Sequence, residues 1–293
     1  MAAIEDIVDL VKPELPMAAG ICVFAGEIVA SKTLPSFTIG LMGFLTGFFI
    51  SGAAMITNDY FDLDVDRVNH PNRPLPSGRI SRSEVMALTG LFSVAGFMAA
   101  SFLGAIPLIL AAAMWIVSNL YNWRYKETGF IGNMMVSFCL FMLFICGGAA
   151  VEGIENGIVW AFGALVFVFD LGEEIAGGAM DMEGDELRSV RTIARIYGKK
   201  QALCASGFFF ALFVIISFLP FIMGWLESSY LGIFVPMDLA VLYLALKLVT
   251  SKSISEGRAK IRQLYLSTTF FISVFIVVHA LGMNAHASEL AGI

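Results

Sequence analysis

Residues 36–66 read S-F-T-I-G-L-M-G-F-L-T-G-F-F-I-S-G-A-A-M-I-T-N-D-Y-F-D-L-D-V-D. No side chain from Ser36 to Thr57 is charged, and about 20 such residues are what a helix needs to cross the hydrocarbon core of a bilayer. Asn58 then opens a different kind of sequence, with Asp59, Asp62, Asp64 and Asp66 crowded together. Carboxylates this close repel one another and resist leaving water. A spanning helix that ends on such a row needs something positive beside it.

The rest of the chain fits that reading. Of its 293 residues 58% are apolar and only 14% charged, against roughly 25% charged in a soluble protein. The apolar residues come as long blocks rather than the alternating ten-residue runs of a barrel, which predicts a helical integral membrane protein. The net charge is −6, and no basic tail or basic-aromatic stripe suggests nucleic-acid binding. Glu5, Asp6 and Asp9 precede the first apolar block, where a secretory signal would be positive. Cys22, Cys139, Cys146 and Cys204 are scattered without a CxxC pair, so they read as small buried residues rather than a disulfide framework or metal site.

Apolar runs predict nine spans, at roughly 14–31, 37–58, 83–103, 105–123, 131–151, 157–178, 202–224, 230–249 and 264–284. With that count, 17 of the 18 lysines and arginines fall on the side of the N-terminus, leaving Lys32 alone on the other. The positive-inside rule then puts the N-terminus and the long connections 59–82 and 179–201 in the cytoplasm. The expected architecture is all-α: one transmembrane domain over 1–293, nine helices around a central cavity that opens to the cytoplasm and sideways to lipid.

On a helix, Asn58, Asp62 and Asp66 share one face, Asp59 lies about a quarter turn away, and Asp64 points elsewhere. A second row follows in D-L-G-E-E-I-A-G-G-A-M-D-M-E-G-D, where Asp170, Glu174, Asp181 and Asp185 share a face with Gly177. Both rows end spans on the same side. Acids that begin inside apolar sequence make sense if the rows face each other across a polar cavity. Carboxylates without thiolate or imidazole partners suit hard cations such as Mg²⁺, which takes one or two carboxylates plus phosphate oxygens. Two such rows around Mg²⁺ and a diphosphate form an arrangement able to ionise an allylic diphosphate. A solvated acid-rich loop and a cation transporter are the competing readings. Transporters usually keep ionisable groups at the bilayer midplane, however, and these acids gather at helix ends.

The stretch N-D-Y-F-D-L-D-V-D-R-V-N-H-P-N-R-P-L-P-S-G-R-I-S (58–81) resembles the first signature and following loop of the UbiA superfamily of intramembrane prenyltransferases. The resemblance extends through K-P at 12–13, Y-N-W-R-Y-K at 121–126 and D-M-E-G-D at 181–185. Within the superfamily, the R-P-L-P-S-G-R-I-S loop and the E-G-D motif look most like the archaeal digeranylgeranylglyceryl phosphate synthases. Chlorophyll synthases share much of the loop. The archaeal branch usually carries Lys-Asp where this chain has Gly177-Gly178.

This resemblance implies Mg²⁺-dependent transfer of a prenyl group, geranylgeranyl by preference, from its diphosphate to a lipid acceptor. That acceptor is geranylgeranylglyceryl phosphate, or alternatively an aromatic or chlorin compound. It implies that Asn58, Asp59, Asp62 and Asp66 bind one metal–diphosphate edge and that Asp181 and Asp185 bind the other, with Asp59, Asp62, Asp66, Asp181 and Asp185 as metal ligands. Asp170 and Glu174 join them from the helical wheel. Arg67 and Arg73 follow the first row and are candidates for phosphate, although positive-inside charge accounts for them equally. Lys126, with Tyr121 and Asn122, is a further diphosphate candidate, and snorkelling to headgroups is its bland alternative. Arg188, Arg191 and Arg195 have helical spacing and could meet an acceptor phosphate or lipid headgroups.

Overall fold

The structure is a computed structural model that describes residues 4–31, 34–182 and 191–291. Among the described residues it is helical throughout, with no strand. A short helix α1 (Ile4–Val11) leads into α2 (Glu14–Ala30), α3 (Phe37–Phe61), α4 (Leu63–Asn69), α5 (Arg82–Leu103) and α6 (Ala105–Leu120). Then come α7 (Phe130–Ala150), α8 (Gly157–Met180), α9 (Ile193–Tyr197), α10 (Lys199–Ser217), α11 (Leu219–Ile222), α12 (Leu231–Val249) and α13 (Ile254–Ala291).

Seven segments among the described residues are long and apolar enough to cross a membrane: 37–61, 82–103, 105–128, 130–150, 199–222, 228–249 and 254–282. The other two predicted spans are the helices α2 and α8. α2 has 17 residues, about 26 Å of rise, slightly less than a hydrocarbon core. α8 has 24 residues but carries Asp170, Glu173 and Glu174 among its apolar ones. α2 packs against α3 and α7 and keeps Leu15, Met17, Ile21 and Phe24 exposed, whereas α8 packs against α7 and α10. Neighbouring helices let α8 carry charge that a lipid-facing helix would not tolerate.

The sequence marks many of the helix ends. Ser36 caps α3 through its side chain, and Ser81 with Glu84 forms a reciprocal capping box at the start of α5. Gly104, at φ +114°, makes the tight corner between α5 and α6 that the short connection requires. The α2–α7 crossing brings backbones together: a Cβ on Gly26 would overlap the Phe144 carbonyl, and one on Gly147 the Val23 carbonyl. Small residues at such crossings allow the close packing that holds membrane helices together.

Three apolar clusters result. The largest joins α8, α10, α12 and α13 around Phe162, Phe210, Phe213, Phe234 and Phe275. A second lies between α2, α3, α6 and α7, with Val23, Ile50, Met114 and Leu143. The third sits at one end of the bundle, where Leu10 and Val11 of α1 pack with Ile56, Leu63, Leu75, Ile80 and Val85. That cluster seats α1 and the 70–80 loop over the end of α3, where the acids are.

Candidate active site

α3 delivers the first acid row. The helix breaks at Asp62 (φ −84°, ψ 0°), which closes α3 and opens α4. The hydrogen bonds continue across the break: the Asp62 N–H donates to the Asn58 carbonyl (2.9 Å) and the Asp66 N–H to the Asp62 carbonyl (2.8 Å). Asn58, Asp62 and Asp66 therefore stay one turn apart. Asp59 and Asp66 are buried, at 1% and 2% exposure. The Asp64 side chain is 84% exposed and meets only Arg67, at 3.1 Å. Arg67 follows Asp66 by one residue, about 100° around the helix, so it joins Asp64 rather than the row.

The positive charge that the row needs comes from three distant segments. Lys12 Nζ donates to Asp59 Oδ1 at 2.7 Å. Arg73 Nη1 is 2.7 Å from Asp66 Oδ2 and 3.8 Å from Asp59 Oδ1. Lys126 Nζ is paired with Asp62 Oδ2. Lys12 lies at the break between α1 and α2, in a left-handed conformation (φ +50°) that costs a non-glycine residue of order 1 kcal/mol. Pro13 follows and ends α1. The loop that carries Arg73 is anchored by Arg79, which pairs with Asp6 of α1 and donates to the Asn72 carbonyl at 2.7 Å. Between α1 and this loop is a cleft of about 360 Å³, lined by Asp9, Lys12, His70, Asn72 and Arg73.

Lys126 reaches Asp62 because Tyr121–Tyr125 forms a π-helical turn after α6. Such turns recur at functional sites, where the extra residue re-aims side chains. Here it buries Asn122, whose amide donates to the Ala54 carbonyl at 3.0 Å. The Asn58 amide lies 2.8 Å from Lys126 Nζ, 3.2 Å from Asp62 Oδ2 and 3.0 Å from Asn122 Oδ1. Those charges favour its oxygen facing the ammonium and its nitrogen facing the carboxylate. Tyr121 is half-buried beside Gly132. Gly129 (φ +68°) then lets the chain lie against Arg191, whose carbonyl a Cβ would overlap, and Arg191 N–H donates to the Glu127 carbonyl at 3.0 Å.

The second row is reached through α8. Asp170 Oδ2 accepts a hydrogen bond from Ser137 of α7 at 2.6 Å. Glu174, one turn on, is within electrostatic reach of both Lys126 and Asp181. α8 ends at Met180 and Asp181 is its cap, so the single helical face expected through Asp185 stops at Asp181. Asp185 and Arg188 lie outside the described residues. Arg191 precedes α9, which starts at Ile193, so it does not share a helix face with Arg195. Arg258 of α13 donates to Asp181 Oδ1 at 2.6 Å.

Each row thus meets a base from a distant segment: Lys126 pairs with Asp62 of the first, and Arg258 with Asp181 of the second. Among the described residues no three of His, Cys, Asp and Glu converge as a ready metal cage. The donor set still suits a hard divalent cation. It is carboxylate oxygen, and one Arg73 guanidinium nitrogen reaches both Asp59 and Asp66. Lys12 and Arg258 are the contacts that sequence reasoning did not assign. The K-P pair was the only signal for Lys12, and none distinguished Arg258 from the basic residues around it.

The fold is a polytopic helical bundle that gathers acidic side chains and the bases paired with them at one end. The UbiA prenyltransferase family pattern matches residues 19–279, and the chain belongs to that family. It is an integral membrane prenyltransferase. It is 35% identical over 253 residues to the digeranylgeranylglyceryl phosphate synthase of Methanopyrus kandleri, covering 86% of this chain and 91% of that one. A solved structure of a digeranylgeranylglyceryl phosphate synthase superposes with a TM-score of 0.79 at 26% identity, over 94% of this chain and 98% of that one. A UbiA homologue from Archaeoglobus fulgidus, bound to GPP and Mg²⁺, shares the fold with a TM-score of 0.72 at 16% identity, over 94% and 99% of the two chains.

Proposed function

We propose that this prenyltransferase moves a geranylgeranyl group from geranylgeranyl diphosphate to the free hydroxyl of geranylgeranylglyceryl phosphate, with Mg²⁺, in ether-phospholipid synthesis at the cell membrane. The observation that carries the reading is the first acid row at one end of the bundle, where Lys12, Lys126 and Arg73 pair with Asp59, Asp62 and Asp66. The name of the Methanopyrus kandleri relative supports the acceptor. The Archaeoglobus fulgidus homologue supports Mg²⁺ and a prenyl diphosphate donor. The whole of residues 1–293 acts as one domain in this reading, consistent with a family match over 19–279.

Bound Mg²⁺ supplies neutralisation of the diphosphate as it leaves. Asp59, Asp62, Asp66, Asp181 and Asp185 would hold it. Lys12, Arg73 and Lys126 would present their donors to the phosphate oxygens, with the Asn58 amide beside Lys126. The bond between prenyl C1 and the diphosphate oxygen breaks, the acceptor hydroxyl oxygen bonds to C1, and its proton passes to the departing diphosphate. Glu174 and Asp170, deeper on α8, line the wall beyond that centre. Lys12, the 70–80 loop, Lys126 and Arg258 all meet at one end of the bundle, which carries the excess positive charge and faces the cytoplasm.

The decisive experiment incubates purified protein with Mg²⁺, geranylgeranyl diphosphate and one acceptor at a time, and reads products by mass spectrometry. Digeranylgeranylglyceryl phosphate from geranylgeranylglyceryl phosphate is the expected product. A product only with an aromatic quinone precursor or a chlorin alcohol would reassign the acceptor. No diphosphate release with any acceptor would remove the reading.

A further inference from the structure

The three bases on the first row are partly shielded, and the base on the second row is not. The Arg258 and Asp181 side chains are 62% and 56% exposed, yet their atoms stand 2.6 Å apart across 77 positions of sequence. An exposed ion pair contributes only about 0–1 kcal/mol to stability, so holding the fold together is a poor account of this one.

Local structure fixes Arg258 in place. Ser253 Oγ accepts from the Glu256 N–H at 3.1 Å, and Glu256 Oε2 accepts from the Lys252 N–H at 2.9 Å, a reciprocal cap that sets where α13 begins. One turn later Gly257 lies against Met180, whose side chain a Cβ there would overlap. Arg258 is thus held beside the last residue of α8 by two packed helices, with Nη2 on Asp181. A planar guanidinium with five donors is the side chain best matched to the paired oxygens of a phosphate.

We propose that Arg258 is a phosphate-binding residue of the transferase site. It holds Asp181 while no ligand is present and exchanges that carboxylate for phosphate oxygens once Asp181 turns to a divalent cation. The ligand chemistry is a phosphate group, which either the leaving diphosphate or a phosphomonoester on the acceptor can supply. This assignment rests on the prenyltransferase reading above and adds a ligand-contacting residue to it.

The experiment uses full-length protein in detergent, with Arg258→Gln, Arg258→Lys, the control Lys260→Gln on the same helix, and Asp62→Asn. Inorganic pyrophosphate is titrated in the presence of Mg²⁺, Mn²⁺ is titrated alone, and KM for geranylgeranylglyceryl phosphate is measured in turnover. Arg258→Gln is expected to weaken pyrophosphate binding about tenfold, as loss of a charge-assisted hydrogen bond does, without weakening Mn²⁺ binding. Arg258→Lys should restore part of that loss and Lys260→Gln should match wild type. A rise in acceptor KM with unchanged pyrophosphate binding assigns the same phosphate contact to the acceptor. Wild-type values for both in Arg258→Gln, or a loss confined to Mn²⁺, overturn the proposal while leaving the transferase reading intact. Wild-type protein that binds pyrophosphate no better than Asp62→Asn takes down that reading, and Arg258 with it.

Discussion

Lys126 is ion-paired with Asp62, 64 positions earlier in the chain, so the segment after α6 supplies charge that the first acid row needs. In a partly buried, low-dielectric setting such a charge acts more strongly than it would in water. Lys126→Gln is expected to keep the fold, because the π-helical turn is fixed by Asn122 on the Ala54 carbonyl. It is expected to lower kcat/KM for prenyl diphosphate by about a hundredfold, the usual scale for removing one preorganised electrostatic group. Steady-state kinetics with an unchanged melting temperature would check both parts.

The four aspartates of the first row divide into two kinds. Asp59 and Asp66 are buried and share Arg73, and Asp62 holds Lys126, whereas Asp64 faces solvent with Arg67. Asp64→Asn is expected to leave turnover within about twofold, since exposed pairs contribute little. Asp62→Asn and Asp66→Asn are expected to abolish measurable turnover and to weaken Mn²⁺ binding to the purified protein. An Asp64→Asn enzyme as inactive as Asp66→Asn would show that the row is used differently from its geometry.

Much of this was legible in the sequence, for identifiable reasons. The apolar runs are long, and the spacing of Asn58, Asp62 and Asp66 survives the break at Asp62 because the backbone hydrogen bonds continue through it. On the second row, local periodicity cannot tell where α8 ends: it stops at Met180 with Asp181 as its cap, and Asp185 lies outside the described residues. The pairing of bases with acids was not legible at all. Lys12 reaches Asp59 across 47 positions and Arg258 reaches Asp181 across 77, which depends on how helices pack. Arg67 and Arg73 looked equivalent, but one continues the helix onto another face and the other returns through a proline-bounded turn.

The α2–α7 crossing carries a stability prediction. Gly147 faces the Val23 carbonyl and Gly26 faces the Phe144 carbonyl, so an added side chain meets backbone that cannot swing away. Gly147→Val is expected to destabilise by about 1–3 kcal/mol, the range for overpacking, and to lower the melting temperature in detergent. Gly90→Ala, at an exposed position where an added Cβ meets no neighbour, is the matched control and should not lose stability. Equal melting temperatures for wild type and Gly147→Val would mean that these helices are not in close contact.

Gly177 offers the opposite case. It lies one turn before Asp181, and among the described residues a Cβ there meets nothing within 4 Å. A lysine at this position starts on the face of α8 that carries Glu174 and Asp181. Gly177→Lys is therefore expected to fold with no loss of stability, helped by the better helix propensity of lysine, about 0.5–1 kcal/mol over glycine. If the acceptor carries a phosphate, the added ammonium should lower its KM several-fold, in line with a single new charge-assisted contact. An uncharged aromatic acceptor offers that ammonium no such partner, so its KM should stay the same. Measuring both values in the wild type and in Gly177→Lys separates an effect on phosphate recognition from a general change in the site, because only the former shifts one KM and spares the other.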